Sequence, residues 1–363
     1  MKILLIGEYS NVHNTLAQGL RQLGHEVCVV SNGDFWKNYP RDIDVARTSC
    51  KIGGIRLILK LYSLLPKLCG YDVVQLVNPM FFELKAERLF FFYRYLRKHN
   101  KHVFLGAFGM DYYWVHTCTN AMPLRYSDFN IGSTLRTDSE AVKEQRDWLG
   151  TTKERLNKLI ANDCDGIITG LYEYHVCYQP VFPEKTRFIP FPITLPPSPD
   201  TTHHSSPITL FIGISKNRSA YKGTDIMLKA AEAIVRKYPE QVTLHKAEGV
   251  PFEEYQQMIK DSDVLLDQLY SYTPAMNALL AMSKGIVVVG GGEPENYDIL
   301  GEKELRPIIN VQPTYDSVYQ ELEQLVLHSE RLPELKRQSI EYVRKHHDYI
   351  TVARQYLDFW TQK

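Results

Sequence analysis

The sequence has no excess of either charge and no long hydrophobic run. Its 363 residues include 42 Lys and Arg and 42 Asp and Glu. This balance argues against a nucleic-acid-binding protein, whose affinity would rest on excess positive charge. No uncharged apolar stretch reaches the roughly 18 residues that a membrane-spanning helix needs. The apolar run at residues 3–7 is also too short for a signal peptide.

Motifs of several common enzyme classes are missing. The six cysteines include no C-x-x-C pair, which argues against a zinc site and against a disulfide framework. Neither G-x-G-x-x-G nor the Walker phosphate loop occurs, so a dinucleotide oxidoreductase and a P-loop ATPase lose their main support. No Ser-His-Asp or Cys-His arrangement stands out. We expect a reduced, cytoplasmic protein.

What is present is a repeated alternation of strand and helix patterns. Residues 1–7 form a short apolar run, residues 13–24 carry leucines at helical spacing, and residues 25–31 form a second apolar run. A β-α-β unit of this kind requires a right-handed crossover and predicts a doubly wound parallel sheet. Further strands are predicted at residues 71–77, 101–106 and 164–169.

A proline-rich joint divides the chain. Residues 196–207 have the composition of an exposed linker, and the alternation restarts at residue 208. We therefore predict an N-terminal α/β domain at residues 1–195 and a C-terminal one at residues 208–345. Residues 346–363 form an amphipathic helix with no strand after it, which needs a surface to cover.

Three cations lie in the loop after the strand that ends at Gly213. Lys216, Arg218 and Lys222 precede a helix that begins near Thr224. Glycine lets the backbone approach a ligand and a helix N-terminus offers unpaired N–H groups, a combination that suits a diphosphate. A solvated basic loop would contain the same residues, and both interpretations stay open.

A second glycine cluster follows a later strand pattern. Gly291 and Gly292 precede Glu293 and Glu295. Ligands of open α/β sheets bind at the carboxyl ends of the strands, where the two carboxylates could accept hydrogen bonds from sugar hydroxyls. An ordinary flexible turn with exposed carboxylates is the alternative.

Polar residues also follow strands in the first half. Glu8 and Asn11 come after the first strand, and Asp111 and Tyr112 come after the strand at 101–106. An acid beside aromatic rings is typical of a carbohydrate-binding wall. An aspartate that caps a helix before packing aromatics is the alternative for Asp111.

Residues 53–69 form an apolar segment with three cations and no acid. Such a helix could lie on an anionic membrane surface. A helix packed on the sheet explains the same pattern, so the segment predicts either a membrane contact or a core helix.

Several blocks, in order along the chain, are similar to motifs of one enzyme family. They are residues 16–27, 164–174, 187–192, 221–223, 249–254 with 262–269, 278–288 and 349–357. Gly249-Val250-Pro251-Phe252-Glu253-Glu254 is part of the most specific block. In these blocks the chain resembles the retaining glycosyltransferases of family four, which have the GT-B architecture.

The resemblance implies two Rossmann-like doubly wound domains that face each other across a cleft, with a C-terminal helix that crosses back to the N-terminal domain. It also implies transfer of a sugar, with retention, from a nucleotide diphosphate sugar to an acceptor hydroxyl, without metal, cofactor or nucleophilic side chain. The acceptor would be a carbohydrate or a lipid-linked molecule in surface polysaccharide or glycoconjugate assembly. The expected location is cytoplasmic, and the membrane-contact alternative for residues 53–69 would place the protein on the inner face of the membrane.

The residues and the resemblance together suggest three sets of site residues. The catalytic candidates are Lys222, Arg218 and Asp111. The donor-binding candidates are Gly213, Lys216, Tyr272, Asn277, Gly291, Gly292, Glu293 and Glu295. The acceptor-binding candidates are Glu8, Asn11, Asp111 and Tyr112, and no metal ligands are expected.

The chain departs from the family at four positions. Tyr272 and Leu280 stand where the family has two glutamates, Ile214 stands where it has an arginine, and Phe108 stands where it has a histidine. Donor recognition is therefore altered, or catalysis is lost. The rival hypothesis is a non-catalytic GT-B subunit that binds a sugar or a partner through a degenerate donor site.

Overall fold

The computed structural model describes residues 1–196, 207–215 and 218–362. Residues 197–206 of the predicted linker lie outside the described residues, and so does Lys216.

Strands and helices alternate along most of the chain. The strands are β1 (Lys2–Ile6), β2 (Glu26–Ser31), β3 (Ile43–Asp44), β4 (Val73–Leu76), β5 (His102–Ala107), β6 (Asn130–Ile131), β7 (Thr134–Leu135), β8 (Gly166–Thr169), β9 (Thr186–Phe188), β10 (Ile208–Ile214), β11 (Val242–Glu248), β12 (Val264–Leu266), β13 (Val287–Gly290) and β14 (Ile309–Asn310). The helices are α1 (Val12–Gln22), α2 (Gly53–Leu64), α3 (Ala86–His99), α4 (Tyr112–Asn120), α5 (Ser139–Trp148), α6 (Thr152–Asp163), α7 (Tyr172–Tyr178), α8 (Ser219–Lys222), α9 (Thr224–Lys237), α10 (Phe252–Lys260), α11 (Met276–Ser283), α12 (Pro294–Leu300), α13 (Tyr315–Leu327), α14 (Leu332–His346) and α15 (Tyr349–Thr361).

The described residues form two compact units. Unit 1 consists of Met1–Ala121, Glu144–Pro192 and Tyr349–Lys363, and unit 2 of Met122–Lys143 and Ile193–Asp348. Residues 122–143 fall within the N-terminal domain predicted at 1–195, whereas their contacts place them in unit 2.

Unit 1 is built on a seven-stranded sheet in the order β3-β2-β1-β4-β5-β8-β9. Every pairing in this sheet is parallel. The side chains of β1 are buried from Ile3 to Ile6, as expected of a strand covered by helices on both faces. The strand order doubles back at β1, which is the arrangement of a Rossmann-like doubly wound sheet.

The last helix, α15, packs on unit 1. The Gln22 amide in α1 donates to the Tyr349 hydroxyl at 2.6 Å, and the Phe104 ring in β5 contacts the rings of Phe359 and Trp360. A Cβ atom at Gly19 would lie 2.4 Å from the Tyr349 carbonyl oxygen. The two helices therefore approach closely because α1 carries a glycine at the crossing, and the predicted return of the C-terminal helix to the N-terminal half is confirmed.

Unit 2 contains a second parallel sheet, in the order β11-β10-β12-β13-β14. Its core combines residues of β10, β12 and β13 with the buried faces of α9 and α13. Ala230, Ala231 and Ile234 are buried on one face of α9. Their spacing is that of one face of an α-helix. This unit is also Rossmann-like.

The predicted strands and helices of both halves are confirmed to within a few residues. The pattern at 13–24 is α1, the helix predicted to begin near Thr224 is α9, and the terminal pattern is α15. The hairpin β6–β7 was not predicted, because its strands are only two residues long and carry no alternating apolar pattern. Within the described ranges, no helix is long and apolar enough to cross a membrane.

The crossing of α1 and α15 predicts opposite effects for two helical Gly→Ala substitutions. Gly19→Ala should lower the free energy of unfolding by about 1–3 kcal/mol, because the new methyl group meets the Tyr349 backbone. Gly54→Ala in α2 is the matched control: its Cβ would have no neighbour closer than 3.7 Å, so it should be neutral or stabilise by up to about 1 kcal/mol. Urea denaturation of both variants tests this, and equal effects would contradict it.

Candidate functional site

Most of the predicted donor-binding residues lie at one edge of the sheet in unit 2. The strands β10, β12 and β13 are parallel neighbours, so the loops that follow them leave at the same edge. The loop after β10 leads to Arg218 and Lys222, and the loop after β13 carries Glu293 and leads to Glu295 in the first turn of α12. Two groups that lie about seventy residues apart in sequence therefore share one edge of the sheet.

Lys222 ends α8, directly before the N-terminus of α9. Its side chain is half-buried, and its charge acts on Asp267, the first residue after β12. Burial raises the pKa of the Asp267 carboxyl, while the Lys222 cation and a hydrogen bond from Asn277 oppose that rise. A cation, an acid and an amide therefore meet at the carboxyl edge of the sheet.

Asn277 and Gly213 belong to the same neighbourhood. The Asn277 amide nitrogen lies 3.4 Å from Asp267 Oδ1 and 3.1 Å from the Tyr255 hydroxyl. A Cβ atom at Gly213 would lie 2.7 Å from the Tyr255 ring. Arg218, in contrast, is exposed and lies over the Tyr221 ring at 4.8 Å, so Lys222 is the more buried cation of this loop.

Glu293 and Glu295 are bound by a residue that sequence reasoning missed. The Arg125 guanidinium donates to Glu293 Oε2 at 2.6 Å and to Glu295 Oε1 at 2.5 Å. Glu293 is buried and also accepts from the Tyr126 hydroxyl and the Gln312 amide. The hydrogen bond from Arg125 lowers the pKa of Glu295. Both carboxylates are therefore occupied within unit 2.

Tyr272, which stands where the resembling family has a glutamate, is part of the same cluster. Its buried hydroxyl accepts a hydrogen bond from the Arg125 backbone N–H at 2.7 Å. The Arg125 guanidinium lies 4.9 Å from the centre of the Tyr272 ring, and the Tyr126 ring packs against it. The tyrosine therefore supports Arg125 where a glutamate would offer a carboxylate.

The glycines of the second cluster face protein atoms. A Cβ atom at Gly291 would lie 2.4 Å from the Ser271 carbonyl oxygen, and one at Gly292 would lie 2.8 Å from the Ile308 side chain. Close packing of the loop after β13 accounts for both glycines, which the sequence analysis had assigned to donor binding.

Arg136, like Arg125, belongs to the segment 122–143 and therefore to unit 2. It is buried, donates to the carbonyl oxygens of Ala220 and Tyr221 at 2.9 and 3.0 Å, and lies 3.6 Å from the centre of the Tyr270 ring. These carbonyls belong to α8, directly before Lys222. Arg136 therefore holds the short helix that positions Lys222. No motif in the sequence signalled this role, because the contact spans more than eighty residues.

Unit 1 has a separate cavity of about 310 Å³ at the carboxyl ends of its central strands. Its lining includes Glu8 after β1, Asn32 after β2, Asn78 after β4 and Met110 after β5. Aromatic and charged side chains complete the wall: Phe35, Phe81, Phe82, Glu144, Trp148 and Lys153. Amide, carboxylate and ammonium groups beside rings are the surroundings that sugar hydroxyls and sugar faces require.

Glu8 is the buried acid of this cavity. Its oxygens accept from the backbone N–H groups of His13 at 3.2 Å and Asn14 at 2.9 Å, at the start of α1. Burial outweighs these hydrogen bonds and raises the pKa of Glu8 to about 8. The carboxyl group is therefore mostly protonated at neutral pH and can donate as well as accept.

The other acceptor candidates play structural roles in unit 1. Asn11 accepts a hydrogen bond from the Asn14 amide in α1. Asp111 is fully buried, caps α4 through the Trp114 N–H at 2.9 Å and accepts from the Tyr178 hydroxyl at 2.8 Å. Burial raises the pKa of Asp111 to about 7.

Tyr112 packs within unit 1 near Asp111. Its ring contacts those of Tyr113 and His116, and Lys158 lies over it at 4.5 Å. Of the four acceptor candidates, only Glu8 lines the cavity.

No family model matches the sequence, and no curated protein matches it. Solved structures do match. A sucrose-phosphate synthase from Thermosynechococcus elongatus aligns with a TM-score of 0.65 at 13% identity, over 100% of this chain and 99% of that chain. HepE from Anabaena, solved with UDP-glucose, aligns with a TM-score of 0.61 at 11% identity, over 100% of both chains.

The lipopolysaccharide outer core galactosyltransferase WaaB, in its apo form, aligns with a TM-score of 0.53 at 13% identity, over 100% of this chain and 99% of that chain. These neighbours are GT-B glycosyltransferases, so the expected fold, two Rossmann-like α/β domains, is confirmed. At such identities the likeness concerns the fold.

The burial of Glu8 predicts a pH dependence of stability. Since the pKa of Glu8 is raised from 4.5 to about 8, the folded chain holds a proton there that the unfolded chain has lost, and stability falls as pH rises through this window. The buried His13, whose pKa is lowered from 6.5 to about 4, opposes this trend mainly below pH 6.5, where the unfolded chain binds a proton that the folded chain lacks. From pH 6.5 to 8 the loss due to Glu8 should be about 1.5 kcal/mol.

Glu8→Gln, which cannot ionise, should remove this part of the decline. Urea denaturation at pH 6.5, 7.2 and 8 measures it, with Glu26→Gln, an exposed acid at the start of β2, as the matched control. Parallel pH profiles of the wild type and Glu8→Gln would contradict the prediction.

Proposed function

We propose that this protein is a glycosyltransferase that uses a nucleotide diphosphate sugar as donor and transfers the sugar to an acceptor hydroxyl with retention. The observation that carries the proposal is Lys222, a half-buried cation at the carboxyl edge of the sheet in unit 2 and directly before the N-terminus of α9. Anions bind at such helix starts because backbone N–H groups and the helix dipole favour negative charge.

The chemical demand of the reaction is stabilisation of the leaving diphosphate. Lys222 and the N-terminus of α9 would meet it, with Arg218 adding a more exposed cation. One preorganised electrostatic contact of this kind lowers the barrier by roughly 3 kcal/mol in comparable enzymes. The leaving phosphate would accept the proton of the acceptor hydroxyl, so no nucleophilic side chain is required.

A UDP-sugar is the donor that we favour. HepE, which has the same fold, was solved with UDP-glucose. The acceptor would bind in the cavity of unit 1, where the protonated Glu8 can donate a hydrogen bond to a sugar oxygen while Asn32 and Asn78 offer amide groups. A carbohydrate or lipid-linked acceptor in surface glycan assembly fits these groups.

The rival function is a non-catalytic subunit that binds a partner or a sugar. The cluster of Arg125, Glu293, Glu295 and Tyr272 favours this rival function. Both glutamates are already paired with Arg125, and Tyr272 offers no carboxylate. In a transferase the same four residues would form one wall of the donor site, and other groups would bind the sugar.

Calorimetric titration with UDP, GDP and their glucose and mannose derivatives separates the two functions. The transferase proposal expects measurable binding of one nucleotide and its sugar, followed by nucleotide release when an acceptor sugar is added. Failure to bind any of these ligands would reject it and leave the non-catalytic function.

Lys222→Ala should reduce turnover, or nucleotide affinity where no acceptor is known, by about a hundredfold, as expected for the loss of roughly 3 kcal/mol. Lys229→Ala, an exposed lysine of α9, is the matched control and should behave as the wild type. Circular dichroism confirms that both variants fold. Wild-type turnover and affinity in Lys222→Ala would reject the assignment of the diphosphate site.

A further inference from the structure

Helix α2 in unit 1 presents a row of large apolar side chains to solvent. Ile55 is 61% exposed, Leu59 64% and Tyr62 47%, and their spacing places them on one helical face. The opposite face, with Leu57, Leu61 and Leu64, is buried in the unit. The helix is therefore apolar on two sides, of which the unit covers one.

The neighbouring helix extends this apolar surface. Phe91 in α3 is also exposed, and its ring centre lies 5.3 Å from that of Tyr62. Ile52, directly before α2, continues the row at the other end. We call these five residues, Ile52, Ile55, Leu59, Tyr62 and Phe91, the apolar face. A contiguous exposed surface of this kind marks an interaction site.

The charges around the apolar face are predominantly positive. Residues 45–70 contain five Lys or Arg and no Asp or Glu. The exposed cations include Lys51, Arg56, Lys60 and Lys67 around α2, and Arg88, Arg94 and Lys98 on α3. Three acids lie nearby: Asp44, Glu83 and the exposed Glu87. Asp44 is 3.8 Å from the Lys60 ammonium, and Glu83 accepts a hydrogen bond from the Arg47 backbone N–H. The cations outnumber these acids.

We propose that the apolar face docks unit 1 on the surface of an anionic lipid bilayer. An amphipathic helix with large apolar side chains bordered by Lys and Arg lies in the interfacial plane, where the apolar groups enter the acyl boundary and the cations meet anionic headgroups. A second copy of this chain fits less well, because two such faces would bring their cationic borders together. Charge complementarity therefore favours lipid.

The apolar face is close to the cavity of unit 1. Phe82 lines that cavity, its ring contacts Phe92 at 5.7 Å, and Phe92 contacts Tyr62 at 5.5 Å. Two ring contacts thus connect the cavity wall to the docking surface. If the proposed acceptor site is correct, docking would present the cavity to a lipid-linked acceptor, whereas the docking itself does not depend on the proposed function.

Vesicle co-sedimentation tests the proposal with the full chain. The wild type should bind vesicles of phosphatidylcholine with phosphatidylserine, bind phosphatidylcholine alone far more weakly, and dissociate as salt is raised. The double variant Ile55→Ser with Leu59→Ser, which keeps every charge, should bind anionic vesicles at least about tenfold more weakly. Arg56→Gln with Lys60→Gln should lose the preference for anionic lipid.

Leu327→Ser in unit 2 is the matched control, since this leucine is 53% exposed on α13 and should leave vesicle binding unchanged. Thermal unfolding checks that all variants fold, and titration with UDP reports on the donor site separately. Absence of wild-type binding to anionic vesicles, or full binding by both double variants, would overturn the proposal. Self-association that disappears in the Ile55–Leu59 double variant, without vesicle binding, would instead identify a dimer face and overturn it as well.

Discussion

The parallel hydrogen-bonding of the two sheets is the constraint on which both candidate sites depend. Every strand of a parallel sheet runs in the same direction, so every loop that follows a strand leaves at the same edge. Glu8, Asn32 and Asn78 meet in unit 1 for this reason, and Lys222 and Asp267 meet in unit 2. Helices cover both faces of such a sheet, so its strands are apolar on both sides. Polar side chains therefore collect at the edge where the loops leave.

Residues 122–143 change the character of the edge in unit 2. Arg125 binds the carboxylates of Glu293 and Glu295, and Arg136 holds the helix that ends in Lys222. A planar guanidinium suits both tasks, because it can donate several hydrogen bonds in fixed directions and lie over an aromatic ring. Residues 122–143 thus pair two acids with a guanidinium and fix the position of a cation.

The sequence was sufficient to predict the fold because the signals of the central strands and helices are local. The apolar run of β1, the leucines of α1 and the amphipathic pattern of α15 each specify an element without reference to the rest of the chain. Lys222 and Glu8 were found as candidates for the same reason, since both follow strong strand patterns. A helix cap is one of the two interpretations that the sequence allows for Asp111, and the structure shows that cap.

The roles of Arg125 and Arg136 could not be predicted in this way. The partners that give them these roles lie more than eighty residues away, and the hairpin that carries Arg136 toward α8 has strands of two residues. A single sequence contains no local signal for such contacts. The burial of Glu8 and its raised pKa were equally inaccessible, because they depend on the packing around the cavity rather than on the residues beside it.

The division of unit 1 into three chain segments has a consequence for biosynthesis. Its helix α15 is translated only after the whole of unit 2, so the parts of α1 and β5 that contact Tyr349 and Trp360 stay uncovered while the ribosome completes the intervening residues. A nascent chain in this state displays apolar surface to other polypeptides. Unit 2, whose own segments end at Asp348, can finish folding first, and the unit that begins the chain becomes complete last.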